Sequence, residues 1–199
     1  CITGTELGGD HYDWLRLADG RILLTAGDVT GHGIAPAMIQ ASIKVWIALN
    51  AGKCASAVEL LGKVASLHYR FGARKLFMTC WLGYYTPASG RLEYASAGHP
   101  YPFVVGASGE VEMLKSPGIP LGMKERPGIA GAETILVPGS SLILYTDGIV
   151  ETADTRKQII GFDGFARICA GVARMPAPAA VDYIFAAAGA WGPQTDDQT

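Results

Sequence analysis

"LLTAGDVTGHGIAPAMIQASIKVW", residues 23–46, passes from an apolar run through a glycine-rich turn into a second apolar segment. The run 21–26 is typical of a short buried strand that ends at a glycine. Pro36 suits the first turn of a helix, which we expect to continue to about Asn50. Asp28 therefore lies between a strand and a helix N-terminus, where a phosphate-binding loop would hold its anion.

Two known phosphate-binding motifs do not fit this turn. A Walker A loop counted from Gly27 has His32 in place of its second glycine. A dinucleotide-binding fingerprint counted from Gly31 has Pro36 in place of its last glycine. Without a cation, Asp28 would also repel a phosphate at that helix end. A hard divalent cation removes this conflict, because Mg²⁺ and Mn²⁺ prefer carboxylate, carbonyl and water oxygens.

The overall composition is that of a folded chain without a basic surface for nucleic acid. Hydrophobic residues make up 49% of the 199 residues, charged residues 17%, and the formal net charge is −2. The four cysteines show no zinc-binding spacing, so we expect reduced thiols in a cytoplasmic protein. No apolar run reaches the roughly 20 residues of a membrane helix. The nearest is "PAPAAVDYIFAAAGAWG", which Asp182 interrupts, and we expect no membrane insertion by this segment.

The hydrophobic period changes along the chain. A second amphipathic helix is predicted at about 55–69, and from residue 75 the period becomes two. Strands, a hairpin at "GASGE" and two strands joined at Pro138 and Gly139 follow, before helices over 162–173 and 176–190. This order predicts a single α+β domain over residues 1–199 with mainly antiparallel sheets. The aromatic residues at strand spacing are expected in its core: Trp14, Tyr84, Tyr85 and Tyr94.

Aspartates recur at strand ends and in glycine turns. Asp10 lies in "GGDHYD", Asp147 in "YTDG", and the pair Asp196 and Asp197 in "TDDQT". Any one of them alone fits ordinary turn chemistry, in which the side chain bonds the nearby backbone. Brought together, they would repel by about 4 kcal/mol per pair at ~4 Å and an effective dielectric of ~20. A set of oxygen ligands without Cys/His spacing favours Mn²⁺ or Mg²⁺ over zinc.

Five segments, taken in order, resemble the motifs of the SpoIIE-type branch of metal-dependent serine/threonine protein phosphatases, bacterial relatives of the type 2C phosphatases: "GGDHYDW", "GDVTGHGIAPA", "FMTCWLGYYTPASGRLEYASAGHPYP", "LILYTDGIVET" and "DDQT". The resemblance implies an α-β-β-α sandwich with two antiparallel sheets and two Mn²⁺ or Mg²⁺ ions at one edge. By motif position, Asp28 would bridge both ions. Asp10 and the carbonyl of Val29 would complete the first site, and Asp147 and Asp196 the second.

The same resemblance implies an activity and a setting. The implied reaction is hydrolysis of phosphoserine or phosphothreonine on a protein, by a water activated at the two ions. The implied substrate is an anti-sigma-factor antagonist, within a longer protein whose other segments carry a sensor or regulatory domain. Two alternatives stay open: a pseudophosphatase that serves as a protein-binding module, and a metallohydrolase of small phosphate esters.

Several polar residues in or near these motifs admit two roles each. His32 and His99 are expected to bond loop backbone, although His32 could donate a proton to the leaving oxygen. Thr30 stands where eukaryotic type 2C enzymes have a histidine, so the general acid is not assigned. Asp13 could support the metal ligands or form a turn, and Glu151 could cap a turn or line the rim of the site.

Overall fold

The structure is a computed structural model that describes residues 8–31, 33–71 and 76–199, so the expectations for His32 fall outside the described residues. It divides into two compact units. The N-terminal unit comprises the described residues up to His99 together with 115–135, and the C-terminal unit comprises 100–114 and 136–199. That the whole chain forms a single domain stays a prediction.

Most strands and helices follow the order that the sequence patterns predict, but the strand at His11–Arg16 and the short helix at Asp147–Val150 were not predicted. In chain order the strands are β1 His11–Arg16, β2 Ile22–Val29, β3 Met78–Thr86, β4 Arg91–Ala97, β5 Phe103–Val105, β6 Val111–Met113, β7 Gly131–Ile135 and β8 Ser141–Ile143. The helices are α1 Ile34–Asn50, α2 Ala57–Phe71, α3 Asp147–Val150, α4 Gly161–Ala170 and α5 Ala177–Trp191.

The strands form two sheets in which all neighbouring strands are antiparallel. The N-terminal unit holds five strands in the order β1-β2-β3-β4-β7, and the C-terminal unit holds three in the order β6-β5-β8. The strands on either side of Pro138 and Gly139 therefore belong to different sheets. The predicted fold class, α+β with mainly antiparallel sheets flanked by helices, is confirmed.

The second helix shows how local sequence fixes an element and its buried face. Ser56 Oγ accepts the N–H of Glu59 at 3.1 Å, and the Glu59 carboxylate accepts the N–H of Ala55 at 2.8 Å. These bonds satisfy N–H groups at the start of α2, which therefore begins at Ala57, slightly later than predicted. Its buried apolar residues pack into the core of the N-terminal unit: Ala57, Leu60, Leu61, Val64 and Ala65.

The expectation that all four strand aromatics are buried is wrong for Trp14. Tyr84 and Tyr94 are buried and Tyr85 is half-buried, but the side chain of Trp14 is 62% exposed. Trp14 lies on β1, which is an edge strand, and Leu15 next to it is the residue that packs against the core. Alternation predicts a strand with two faces, but it does not tell which strand lies at the edge of a sheet.

In the described ranges, one helical stretch is long and apolar enough to cross a membrane by length and composition. It runs over the 20 residues Ile34–Lys53, because a short 3₁₀ turn at Ala51–Lys53 extends α1, and an 18-residue stretch within it has a mean hydropathy of 1.3. This corrects the sequence expectation, which found no run of that length and ranked the segment at 176–192 nearest. Buried core helices of soluble proteins also have this length and composition.

The C-terminal unit has its own core, built around three stacked or tilted aromatic rings. Tyr145 lies 5.8 Å from Phe103 and 4.5 Å from Phe165, measured between ring centroids. Residues of α4 and α5 complete this core, and both helices form where the sequence predicts them. The cluster fixes the chain just before α3, where Asp147 lies.

We expect Tyr84→Phe to lower the free energy of unfolding by about 1 kcal/mol, because the buried Tyr84 hydroxyl donates to the Ala51 carbonyl at 2.7 Å. Urea denaturation followed by circular dichroism measures the change. Tyr85→Phe is the matched control on the next, half-buried position of β3, and it should change stability by less than half as much. Equal losses in the two variants would contradict a stabilising role for the Tyr84 bond.

Candidate metal centre

The first set of candidate ligands lies where β1 begins and β2 ends. His11 pairs with Gly27 in the antiparallel register, so their neighbours Asp10 and Asp28 fall across from each other at the end of this strand pair. Both aspartates are half-buried. The N–H of Val29 donates to the carbonyl of Gly9 at 3.3 Å, which holds the start of β1 against the end of β2.

Gly9 makes this approach possible. A Cβ atom at this position would collide with the Val29 carbonyl oxygen and would lie 2.9 Å from Asp28 Oδ1. The Val29 carbonyl and the Asp28 carboxylate, which the resemblance assigns to a metal, therefore both face the backbone of Gly9, next to Asp10. The sequence patterns did not single out Gly9, although its place in "GGD" directly before a candidate ligand was a usable signal.

The second set lies in the C-terminal unit, where the segment 196–199 contacts the first turn of α3. A Cβ atom on Gly148 would collide with the Asp197 carbonyl oxygen, so Gly148 is again a glycine beside a candidate ligand, Asp147. The Gln198 side-chain amide donates to the Gly148 carbonyl at 3.1 Å and to Thr152 Oγ1 at 3.0 Å.

A backbone bond closes the same contact. The N–H of Thr146 donates to the Thr199 carbonyl at 3.1 Å, and the N–H of Thr199 donates to Thr146 Oγ1 at 3.1 Å. These bonds hold "DDQT" against "TDG", two motifs about 50 residues apart in the sequence. In this segment Asp196 is exposed while Asp197 is buried, and the choice of Asp196 as the ligand stays a prediction.

The carboxylates of the second set act on one another electrostatically. Burial raises the pKa of Asp147 above its ordinary value, and the nearby charge of Asp196 raises it further. Partial burial raises the pKa of Glu151, again with contributions from Asp147 and Asp196. Glu151 also ends α3, with its N–H donating to the Asp147 carbonyl at 2.8 Å. Glu151 is thus the C-terminal cap residue of α3, and its place at the rim of a site stays a prediction.

The donor chemistry of both sets fits a hard divalent cation. Each set offers oxygen atoms alone, and the raised pKa values of Asp147 and Glu151 mark a place where positive charge would be stabilising. Among residues 8–31, 33–71 and 76–199, no three His, Cys, Asp or Glu side chains converge closely enough to hold an ion. The two-ion centre thus remains a proposal.

The other polar candidates have contacts that point to structural roles. Asp13 Oδ1 accepts the N–H of Trp14 at 2.9 Å, and Oδ2 pairs with Lys44 of α1 at 3.6 Å. Thr30 Oγ1 accepts the N–H of Phe77 at 3.0 Å and so ties the glycine turn to the start of β3.

His99 is buried in the N-terminal unit. Its N–H donates to Ser96 Oγ at 3.2 Å, and its Nδ1 lies 2.9 Å from Thr79 Oγ1. The bond to Ser96 is made by the backbone N–H of His99 and not by its ring, so the expected bond from the ring to loop backbone stays a prediction. The ring contact with Thr79 was not predicted.

Comparison with known proteins identifies relatives over most of the chain. A family model described as Stage II sporulation protein E (SpoIIE) matches residues 18–199. The phosphoserine phosphatase RsbP of Bacillus subtilis (strain 168) is 28% identical over 74% of this chain and 38% of its own length. The chain spans 29% of the length of another curated relative, Protein IcfG of Synechocystis sp. (strain ATCC 27184 / PCC 6803 / Kazusa), to which it is 25% identical.

Two solved structures share the fold over nearly the whole chain. The RsbU and RsbW domains of Rv1364c from Mycobacterium tuberculosis align with a TM-score of 0.82 and 27% identity, covering 99% of this chain and 55% of that one. The SiaA-PP2C domain of Pseudomonas aeruginosa aligns with a TM-score of 0.82 and 26% identity, covering 96% and 78%.

The raised pKa of Asp147 predicts a pH-dependent gain of stability on neutralising it. Because the folded state binds this proton more tightly than the unfolded state, ionised Asp147 destabilises the fold at neutral pH, and the loss disappears below the unfolded pKa of about 3.9. In chelator, Asp147→Asn should therefore raise the melting temperature at pH 7, by an amount that shrinks toward pH 4.

Asp182→Asn, at an exposed position of α5, is the control and should give no such pH-dependent gain. Thermal melts of both variants and the parent chain at the two pH values provide the measurement. A destabilised Asp147→Asn protein at pH 7 would contradict the electrostatic account of this residue.

Proposed function

The chain belongs to the SpoIIE family of serine/threonine protein phosphatases, and on that premise we propose that it removes phosphate from phosphoserine or phosphothreonine in a protein, with two Mn²⁺ or Mg²⁺ ions as cofactors. The observation that carries the proposal is the repeated arrangement of a glycine beside a candidate ligand. In each unit this glycine contacts the backbone of a second segment that also bears a candidate ligand.

The proposal assigns the ligands by these two sets. Asp10, Asp28 and the carbonyl of Val29 would supply oxygen atoms from the N-terminal unit, and Asp147 and Asp196 would supply them from the C-terminal unit. When bound, the ions would lower the pKa of a water and neutralise charge on the phosphoryl oxygens. The aspartates would hold this charge in place, and Glu151 adds a further carboxylate near the second set.

The cysteines of the described residues do not favour a covalent cysteinyl-phosphate route. Cys54, Cys80 and Cys169 are all buried. Burial raises the pKa of the Cys80 and Cys169 thiols to about 12, so both are protonated near neutral pH and lack the thiolate that such a route requires. Direct attack by water is therefore the step that these residues support.

The substrate and the cellular setting are proposed from the resemblance. The relative RsbP is described as a phosphoserine phosphatase, which supports phosphoserine as the target group. We propose an anti-sigma-factor antagonist as the phosphoprotein, a regulatory domain elsewhere in the full-length protein as the input, and the cytoplasm as the site of action.

The test is phosphate release from a phosphoserine protein such as phosphorylated casein, with and without Mn²⁺. Release should require Mn²⁺, stop in chelator and return when the ion is added back. Asp196→Asn should lower the rate by at least about 100-fold. Mutating a residue that only hydrogen-bonds to a metal ligand already lowers metal affinity or activity by about 10–100-fold, and a ligand itself should matter more. Asp197→Asn is the matched control in the same motif and should retain most of the activity.

Three results would contradict parts of this proposal. Full activity in chelator would exclude the metal-dependent reaction. Release from p-nitrophenyl phosphate but not from the phosphoprotein would favour a small-ester hydrolase. Binding of the phosphoprotein with no release of phosphate at any Mn²⁺ concentration would favour a pseudophosphatase.

A further inference from the structure

We infer that Thr79 is a positioning residue for the Asp28 carboxylate, and that His99 holds the Thr79 hydroxyl in the orientation that this requires. The inference rests on the proposed function, because it takes Asp28 as a metal ligand. It begins from a hydrogen bond between two side chains that are 20 residues apart, Thr79 Oγ1 and His99 Nδ1, at 2.9 Å.

Thr79 stands directly across from Asp28. The two residues are partners in the antiparallel pairing of β2 with β3. Directly opposed residues project from the same face of a sheet, with Cβ atoms about 4.5–5.5 Å apart. Both residues are half-buried, while the flanking pair Val29 and Met78 points to the other face and packs into the core.

The His99 ring is fixed by the turn that carries it. Its backbone N–H is held by Ser96 Oγ, and Gly98 before it has a φ of +74°. A Cβ atom on Gly98 would lie 2.8 Å from Pro120 Cδ, so a residue with a side chain would not fit at this position, and the turn packs tightly against Pro120. Only 3% of His99 is exposed. The imidazole therefore meets Thr79 as a fixed group.

The chemistry of a hydroxyl makes this contact directional. A threonine hydroxyl has one hydrogen to donate and can accept two hydrogen bonds, whereas an ionised carboxylate can only accept. If the Nδ1–H of His99 donates to Thr79 Oγ1, the Thr79 hydrogen is available to the carboxylate across the strand pair. We assign this tautomer. It would hold Asp28 in one rotamer before an ion arrives, as partners of metal ligands commonly do.

The same sheet offers a matched control pair. His11 Nε2 lies 3.4 Å from Thr25 Oγ1, and both residues are buried. Thr25 is three residues before Asp28 on β2, so its side chain projects from the opposite face of the strand. Removing the Thr25 hydroxyl therefore also breaks a threonine–histidine contact, but it does so away from the Asp28 carboxylate.

The test is calorimetric titration of Mn²⁺ into the full 199-residue chain and its variants. Thr79→Val should weaken Mn²⁺ binding by about 10- to 100-fold, while Thr79→Ser, which keeps the hydroxyl, should bind within about threefold of the parent. His99→Leu should weaken binding like Thr79→Val, and His99→Asn, which can still donate from the Nδ1 position, should restore part of it. Thr25→Val should leave binding unchanged, with its folding checked by a thermal melt in chelator.

The outcomes separate this inference from the proposed function. If Asp28→Asn abolishes Mn²⁺ binding but Thr79→Val binds like the parent chain, the inference is wrong and the proposed function stands. If Thr79→Ser loses as much affinity as Thr79→Val, Thr79 has only a packing role and the inference is again wrong. If the parent chain does not bind Mn²⁺, or Asp28→Asn binds it equally well, both the ligand assignment and the inference fail.

Discussion

A close backbone contact that only glycine permits holds each set of candidate ligands in place. Gly9 lies against the Val29 carbonyl beside Asp10 and Asp28, and Gly148 lies against the Asp197 carbonyl beside Asp147. Any side chain at either glycine would push the two segments apart. Asp10, Asp28 and Asp147 each lie next to a glycine because two distant backbone segments must come into close contact to bring their carboxylates together. The pairing of β1 with β2 and the hydrogen bonds of 196–199 also hold these segments together.

Such an arrangement works against the stability of the unliganded protein. Burial and like charge raise the pKa values of Asp147 and Glu151, so their ionised forms destabilise the fold at neutral pH. Hydrogen bonds from Gln198 and the aromatic cluster around Tyr145 stabilise the surrounding backbone and keep the carboxylates together. Functional sites often retain such locally unfavourable charge, because the charge is needed to bind a cation or substrate.

The sequence points to candidate ligand positions more readily than to the contacts that support them. Glycine turns, strand ends and motif order point to Asp28 and Asp147, and the change of period from 3.6 to two gives the elements in order. The exposure of Trp14 was missed because alternation does not identify an edge strand. The contact of His99 with Thr79 joins residues 20 positions apart, and the contact of Gly148 with Asp197 joins residues farther apart still. A local sequence pattern therefore predicts neither contact.

The central claim is that the two glycine-held sets of oxygen atoms bind divalent cations. A crystal of the chain grown with Mn²⁺, with anomalous scattering recorded at the manganese edge, tests it most directly. The account predicts anomalous peaks for manganese ions that are coordinated by the carboxylates of Asp10 or Asp28 and of Asp147 or Asp196. The manganese–oxygen distances should be near the ~2.1 Å found for Mg²⁺. Manganese bound elsewhere on the protein, with these aspartates bonded only to protein groups, would contradict it.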